Sequence, residues 1–215
     1  MSPRILSCRP LWRPDDLDEA VSHIENGGLV VLPTDTVYGI GAAARDPRAV
    51  RAVLDVKGRG RQMPPPVLVS SPEAIDLLAI DVPGAARRLA ASHWPGGLTL
   101  ILVARPDLGW DLGETGGTIA LRMPDEPRAL ELIDRTGPLA VTSANLTGEA
   151  PATCIAEAVA SFGERVLHID GGPTPGSTPS TILDLAHGPA RAIRLGTLSL
   201  EELSETAGVA IAPLG

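Results

Sequence analysis

The stretch GLVVLPTDTVYGIGAAA, residues 28–44, admits two different folds. Its apolar, β-branched opening at 28–33 is too short for a helix and reads as a strand. Its end, GIGAAA at 39–44, has the GxGxxA form of a dinucleotide-binding turn. Such a turn puts its first glycine directly after the strand, where backbone N–H groups at a helix N-terminus meet a pyrophosphate. Here PTDTVY intervenes, and no acidic residue follows at a convincing strand end, which argues against a Rossmann site. The residues that leave the strand, Thr34, Asp35, Thr36 and Tyr38, become the candidates for ligand contact instead.

Working outward, short apolar runs at 66–70, 98–104, 118–123, 139–144, 165–170, 181–185 and 190–195 read as further strands. Helical patterns alternate with them. One runs from Asp15 or Asp16 to Gly27, one is opened by Asp46 and Pro47 and ends before Gly58, and one follows Ser71 and Pro72. Others lie at 84–93, from Pro127 to Gly137 and at about 153–162, and the capping box of Ser199 and Glu202 begins the last. The pattern predicts a single α/β domain with a ligand cleft at the strand ends, where loops of different βα units converge.

Hydrophobic content of 44% with only 2% aromatic residues requires a core of Ala, Val, Leu and Ile. A net charge of -8 repels polyanions, so strong direct binding of nucleic acid or of a membrane surface is disfavoured. Cys8 and Cys154 lack metal-ligand spacing and fit a reduced setting. The N-terminal MSPRILSCRPLWRP offers no continuous apolar core of a signal peptide, and no run suits a membrane span, so a cytoplasmic location is expected.

Small hydroxyls and one amide gather after the strands: Thr34 and Thr36; Thr142, Ser143 and Asn145; Ser180 and Thr181. They suit a ligand rich in carboxylate, hydroxyl and phosphate oxygens, although such residues also cap helices and fill turns. KGRGR at 57–61 holds the single lysine among 18 basic residues. Its glycines permit backbone N–H groups to face an anion, with charge from Lys57, Arg59 and Arg61; a solvated basic turn at a helix C-terminus fits the pattern equally well. Arg122, inside the apolar run TIALRM, needs a carboxylate or phosphate partner. The chain has no GxxxxGK[ST], HExxH or GxSxG motif, and its four histidines show no ligand spacing.

PTDTVYGIG at 33–41, KGR at 57–59 and SAN at 143–145, supported by HWPGGLTLIL, TIALRMP and STILDL, resemble the YrdC family of L-threonylcarbamoyladenylate synthases over about residues 15–205. The resemblance implies a twisted mixed sheet with flanking helices, a catalytic domain at 15–205, an N-terminal segment at 1–14 and a tail at 206–215. It implies synthesis of threonylcarbamoyl-AMP and pyrophosphate from L-threonine, bicarbonate and ATP, with Mg2+ carried on the ATP and no protein side chain assigned to the metal. The product would serve a tRNA threonylcarbamoyl transferase complex that forms N6-threonylcarbamoyladenosine in tRNA.

By the same resemblance, Lys57, Arg59, Ser143 and Asn145 are catalytic. Thr34, Tyr38, Arg122, Ser143 and Ser180 meet threonine, while Lys57, Arg59, Thr118, Asn145 and Arg194 meet ATP. The run GRQMPPPVLV after Lys57 departs from the family pattern, which lets Arg61 stand in for a missing cation. The likeness is to the short form, so a lid is expected inside the chain, at 171–180. The rival expectation is a non-enzymatic YrdC-like protein that binds double-stranded RNA or regulates.

Overall fold

The computed structural model describes residues 2–213. In chain order the elements are β1 (Ile5–Ser7), α1 (Pro14–Glu25), β2 (Val30–Leu32), β3 (Gly39–Ala43), α2 (Pro47–Lys57), β4 (Val67–Leu68), α3 (Ala74–Leu78), β5 (Ala79–Ile80), α4 (Gly84–His93) and β6 (Leu98–Ala104). There follow β7 (Thr118–Arg122), α5 (Pro127–Thr136), β8 (Leu139–Ser143), α6 (Ile155–Phe162), β9 (Leu167–Asp170), β10 (Thr181–Asp184), β11 (Arg191–Arg194) and α7 (Leu200–Ala207). Each expected strand and helix forms. Two start signals act as read: Asp46 accepts from Arg48 and Ala49 N–H, and the Ser199 hydroxyl accepts from Glu202 N–H, whereas Asp15 and Asp16, read as caps, lie inside the first turn of α1, whose N-cap is Arg13. No helix of the described residues is long and apolar enough to cross a membrane.

The strands make one mixed sheet in the order β1-β9-β2-β3-β8-β4-β7-β6-β10-β11, with β5 branching from β6. GIGAA is β3, antiparallel to both β2 and β8, so a hairpin rather than a helix follows the first strand. Its glycines serve packing. A Cβ on Gly41 would lie 2.5 Å from the Ala140 carbonyl oxygen and 2.6 Å from Val141 Cγ2, closer than van der Waals contact allows.

Residues 1–14 and 206–215 were set apart from the domain by sequence. The structure instead builds their described parts into it: β1 pairs in parallel with β9, α7 runs to Ala207, and Ala212 bridges to Arg191.

Strand alternation divides the interior. Val30 and Leu32 join a cluster with α1 and α5, while Val31 faces a second cluster with α2 and α6. At the other end of the sheet, Leu98, Leu100 and Leu102 of β6, Ile119 and Leu121 of β7 and Leu183 of β10 point into a third cluster that includes α4 and α7. The opposite faces of β6, β7 and β10 are left to line a cavity. Because β3 and β8 are so close, Gly41→Ala is expected to lower stability by about 1–3 kcal/mol through overpacking, read as a fall in the denaturant midpoint.

Candidate functional site

The face of β6, β7 and β10 turned away from the core presents Thr99, Ile101, Thr118, Ala120, Arg122 and Ile182 to a cavity of about 280 Å³. Strand ends and loops complete it: Thr34 and Thr36 after β2, Thr142 and Ser143 at the end of β8, Arg59 after α2, and Ser180 with Arg194 beside β10 and β11. The cleft expected at strand ends therefore lies across a sheet face as well. Period-two alternation puts Thr99, Thr118, Ala120 and Arg122 on this side together with two isoleucines, Ile101 and Ile182, while the leucines of the same strands face the core.

Of the ten residues singled out from the sequence, Thr34, Tyr38, Arg59, Thr118, Arg122, Ser143, Ser180 and Arg194 line the cavity. Lys57 and Asn145 do not. Lys57 is 3% exposed, and its ammonium donates to the Ser143 carbonyl, to the Asn145 carbonyl at 2.7 Å and more weakly to Asn145 Oδ1 at 3.5 Å. Its three protons tie down the Ser-Ala-Asn turn rather than reach into the cavity. Burial, and secondarily the charge of Arg59, push its pKa down to about 8. Asn145 uses its amide on the carbonyls of Leu146 and Glu149.

The glycine-rich run after Lys57 is likewise used inward. Gly58 ends α2 in the left-handed region at φ 64°, and the N–H groups of Gly58 and Arg59 return to the Asp55 and Leu54 carbonyls, so these amides cap a helix instead of cradling an anion. Arg61 pairs with Asp111 at 2.7 Å, outside the cavity lining.

Three guanidinium groups do line it. Arg59 donates to the Thr142 hydroxyl at 2.7 Å, while its buried Nε has no partner among the described residues. Arg194 donates to the carbonyl and hydroxyl of Ser180. Arg122 donates to the Gly96 carbonyl, the Thr36 hydroxyl and Asp35. Burial lowers the pKa of all three, and Arg194 is lowered further by the charges of Arg122 and Arg59, so it feels both of the other cations.

The hydroxyl pattern has a direction. Thr34 donates to the Val37 carbonyl, so Thr36 donates to Thr34 and accepts from Arg122. Thr34 also accepts from Thr36 N–H, which leaves its hydroxyl fully used; its part in the cavity is that of a wall. The Tyr38 phenol donates to the Gly172 carbonyl at 2.6 Å and accepts from Gly171 N–H, and burial raises its pKa to about 12. Thr99, which accompanies Ser180 at 2.9 Å, was hidden from sequence reading inside the strand run LTLILVA. Asp35 stood in plain view after β2, but only its bond to Arg122 marks it out.

No histidine, cysteine, lysine or carboxylate lines the cavity among the described residues, and no cluster of such residues suited to a metal forms. The site is thus a hydroxyl-rich cavity with three arginines on a mixed α/β sheet, a lining whose chemistry suits small anionic molecules. A family model named for Sua5, YciO and YrdC, and described as "Telomere recombination", matches residues 22–196. A Mycobacterium tuberculosis protein provisionally named a threonylcarbamoyl-AMP synthase is 46% identical over 206 residues, 95% of this chain and 95% of its own length. The threonylcarbamoyl-AMP synthase of Pyrococcus abyssi is 39% identical over 88% of this chain and 56% of its length. The structure of P. abyssi Sua5 complexed with L-threonine superposes with a TM-score of 0.87 at 35% identity, over 96% of this chain and 62% of that one. The chain belongs to the Sua5/YciO/YrdC family.

Lys57 gives the site a measurable signature. The unfolded chain holds this proton up to the usual 10.5 and the folded chain only to about 8, so between these values the unfolded state binds more protons and the group's contribution to stability rises with pH. Denaturant unfolding of the parent and of Lys57→Met is expected to show the parent gaining on the variant over that window. Parallel curves would place the titration elsewhere.

Proposed function

We propose that the cavity holds ATP and L-threonine side by side, and that the chain is a threonylcarbamoyl-AMP synthase. The observation that carries this reading is the lining itself: three arginines and many hydroxyls, with neither a nucleophile-base pair nor a carboxylate. Such a site suits a reaction in which the substrates supply the nucleophiles and the protein supplies position and charge. The threonine ammonium gives up one proton, and the free amine then forms the N–C bond with bicarbonate, releasing water. A carbamate oxygen then bonds to the α-phosphorus of ATP, and the α–β bridging bond breaks to release pyrophosphate.

Arg59 and Arg194 face the phosphates in this reading, with the unpartnered Nε of Arg59 meeting an oxygen. Arg122 takes the threonine carboxylate, and Ser143 and Ser180 border the amino acid. Met63, Pro64, Pro65 and Ile193 offer an apolar wall for the base. Mg2+ enters on the phosphates as part of the substrate, since the lining lacks the carboxylates of a protein cage. The segment 171–180 is the lid that keeps water from the carbamate. The product passes to a tRNA threonylcarbamoyl transferase complex in the cytoplasm, for the N6-threonylcarbamoyladenosine modification of tRNA. The net charge of -8 disfavours the rival double-stranded RNA-binding reading.

The test is an incubation with ATP, L-threonine and bicarbonate. Pyrophosphate is expected only when threonine is present, with one threonylcarbamoyl-AMP formed for each. Arg59→Ala should lower kcat/KM for ATP on the order of 10²-fold, as for loss of one donor to developing charge. Release that ignores threonine, or none at all, would favour the rival.

A further inference from the structure

We infer that Asp35, which does not itself line the cavity, is a positioning residue for the amino-acid carboxylate and acts through Arg122; this rests on the reading that Arg122 receives that carboxylate. Arg122 Nη2 donates to Asp35 Oδ1 at 2.6 Å, and the two side chains are only 8% and 15% exposed. The same oxygen accepts Asp125 N–H at 3.0 Å, from the turn after β7, so the carboxylate cannot swing away without breaking a second bond.

The rest of the guanidinium is held as firmly. Nε donates to the Gly96 carbonyl at 3.0 Å and Nη1 to the Thr36 hydroxyl at 3.1 Å. That hydroxyl is itself set by the donation from Thr36 to Thr34 and from Thr34 to Val37 O. Of the five N–H donors of an arginine, three are taken, one on each nitrogen. The two left, one on each terminal nitrogen, form the fork that a carboxylate accepts bidentately, and Arg122 lines the cavity.

The charge of Asp35 matters as well as its shape. Burial disfavours the Arg122 cation, and Arg194 stands close enough to feel the charges of both Arg122 and Arg59. An amide at position 35 would keep a hydrogen bond but leave a buried guanidinium with no counter-charge, its place then resting on neutral acceptors alone. Asp35 thus holds the fork in position before substrate arrives, so that threonine binding does not have to order it.

A double-mutant cycle tests the idea, with Asp35→Asn, Arg122→Ala and both together, assayed below the unfolding transition of each variant. Asp35→Asn is expected to raise the KM for threonine on the order of 10-fold to 100-fold while the KM for ATP moves by less than about twofold. In the Arg122→Ala background the same change should have no further effect on the threonine KM. An unmoved or lowered threonine KM in Asp35→Asn, or an equal further rise in the Arg122→Ala background, overturns the role of Asp35 alone. A parent-like threonine KM in Arg122→Ala would instead overturn the carboxylate assignment and this inference with it. Should Asp35→Asn not fold, Asp35→Glu keeps the charge, displaces it by one methylene and gives the same comparison.

Discussion

Burying a guanidinium group is unfavourable unless its N–H donors find acceptors and its charge finds a partner, and the three arginines of the site meet that condition to very different degrees. Arg122 meets it fully, with a carboxylate, a hydroxyl and a carbonyl. Arg194 meets it with the hydroxyl and carbonyl of one serine, and Arg59 with a single hydroxyl. Neither of the last two has a carboxylate partner among the described residues. The uncompensated positive charge therefore sits at their end of the cavity. In the proposed reading that end is the one suited to a polyphosphate, and the neutralised Arg122 end to an amino acid that carries a single carboxylate.

Lys57 explains why an arginine-rich chain keeps one ammonium. Three acceptors converge on a small buried volume from the Ser143–Asn145 turn, and a compact group with three rotatable donors meets them where a planar fork would not. The consequence is that Ser143 is presented to the cavity by a residue that never enters it. The sequence reading put Lys57 and Asn145 on the ligand, whereas in the structure neither lines the cavity and both hydrogen-bond to the backbone of this turn and the residues after it. A loop of glycine and basic residues is compatible both with an anion nest and with a helix cap, and only the φ of Gly58 and the direction of its N–H decide between them.

Much of the fold was legible because most helices carry a cap or a stop and most of the eight expected strands are rich in β-branched residues. The three strands that escaped did so for separate reasons. β1 is three residues between Arg and Pro, and β5 is two residues directly after a helix. β3 is GIGAA, whose glycines are poor strand formers that survive only because β8 crosses so near. At the site, strand-end hydroxyls were visible as a class. Which of them remain open to a ligand was not, because that depends on pairings such as Thr34 with Thr36 and Val37, which no spacing encodes.

The same motif that opens the site also governs its cover. Tyr38, inside β2–β3, holds Gly171 and Gly172 through its phenol, and Arg128 donates to the Gly171 carbonyl while gripping Glu126. A Cβ on Gly171 would press against Pro33, so the segment leaves the sheet against the very loop that begins the cavity. Thr174 is tied to the Thr153 carbonyl, and Ser180 is held by Thr99 and Arg194. Between these anchors, residues 175–178 are exposed. Anchored roots with an exposed span between them suit the proposed cover over a water-sensitive carbamate: its ends would register on the residues that line the cavity, and only the middle would have to move.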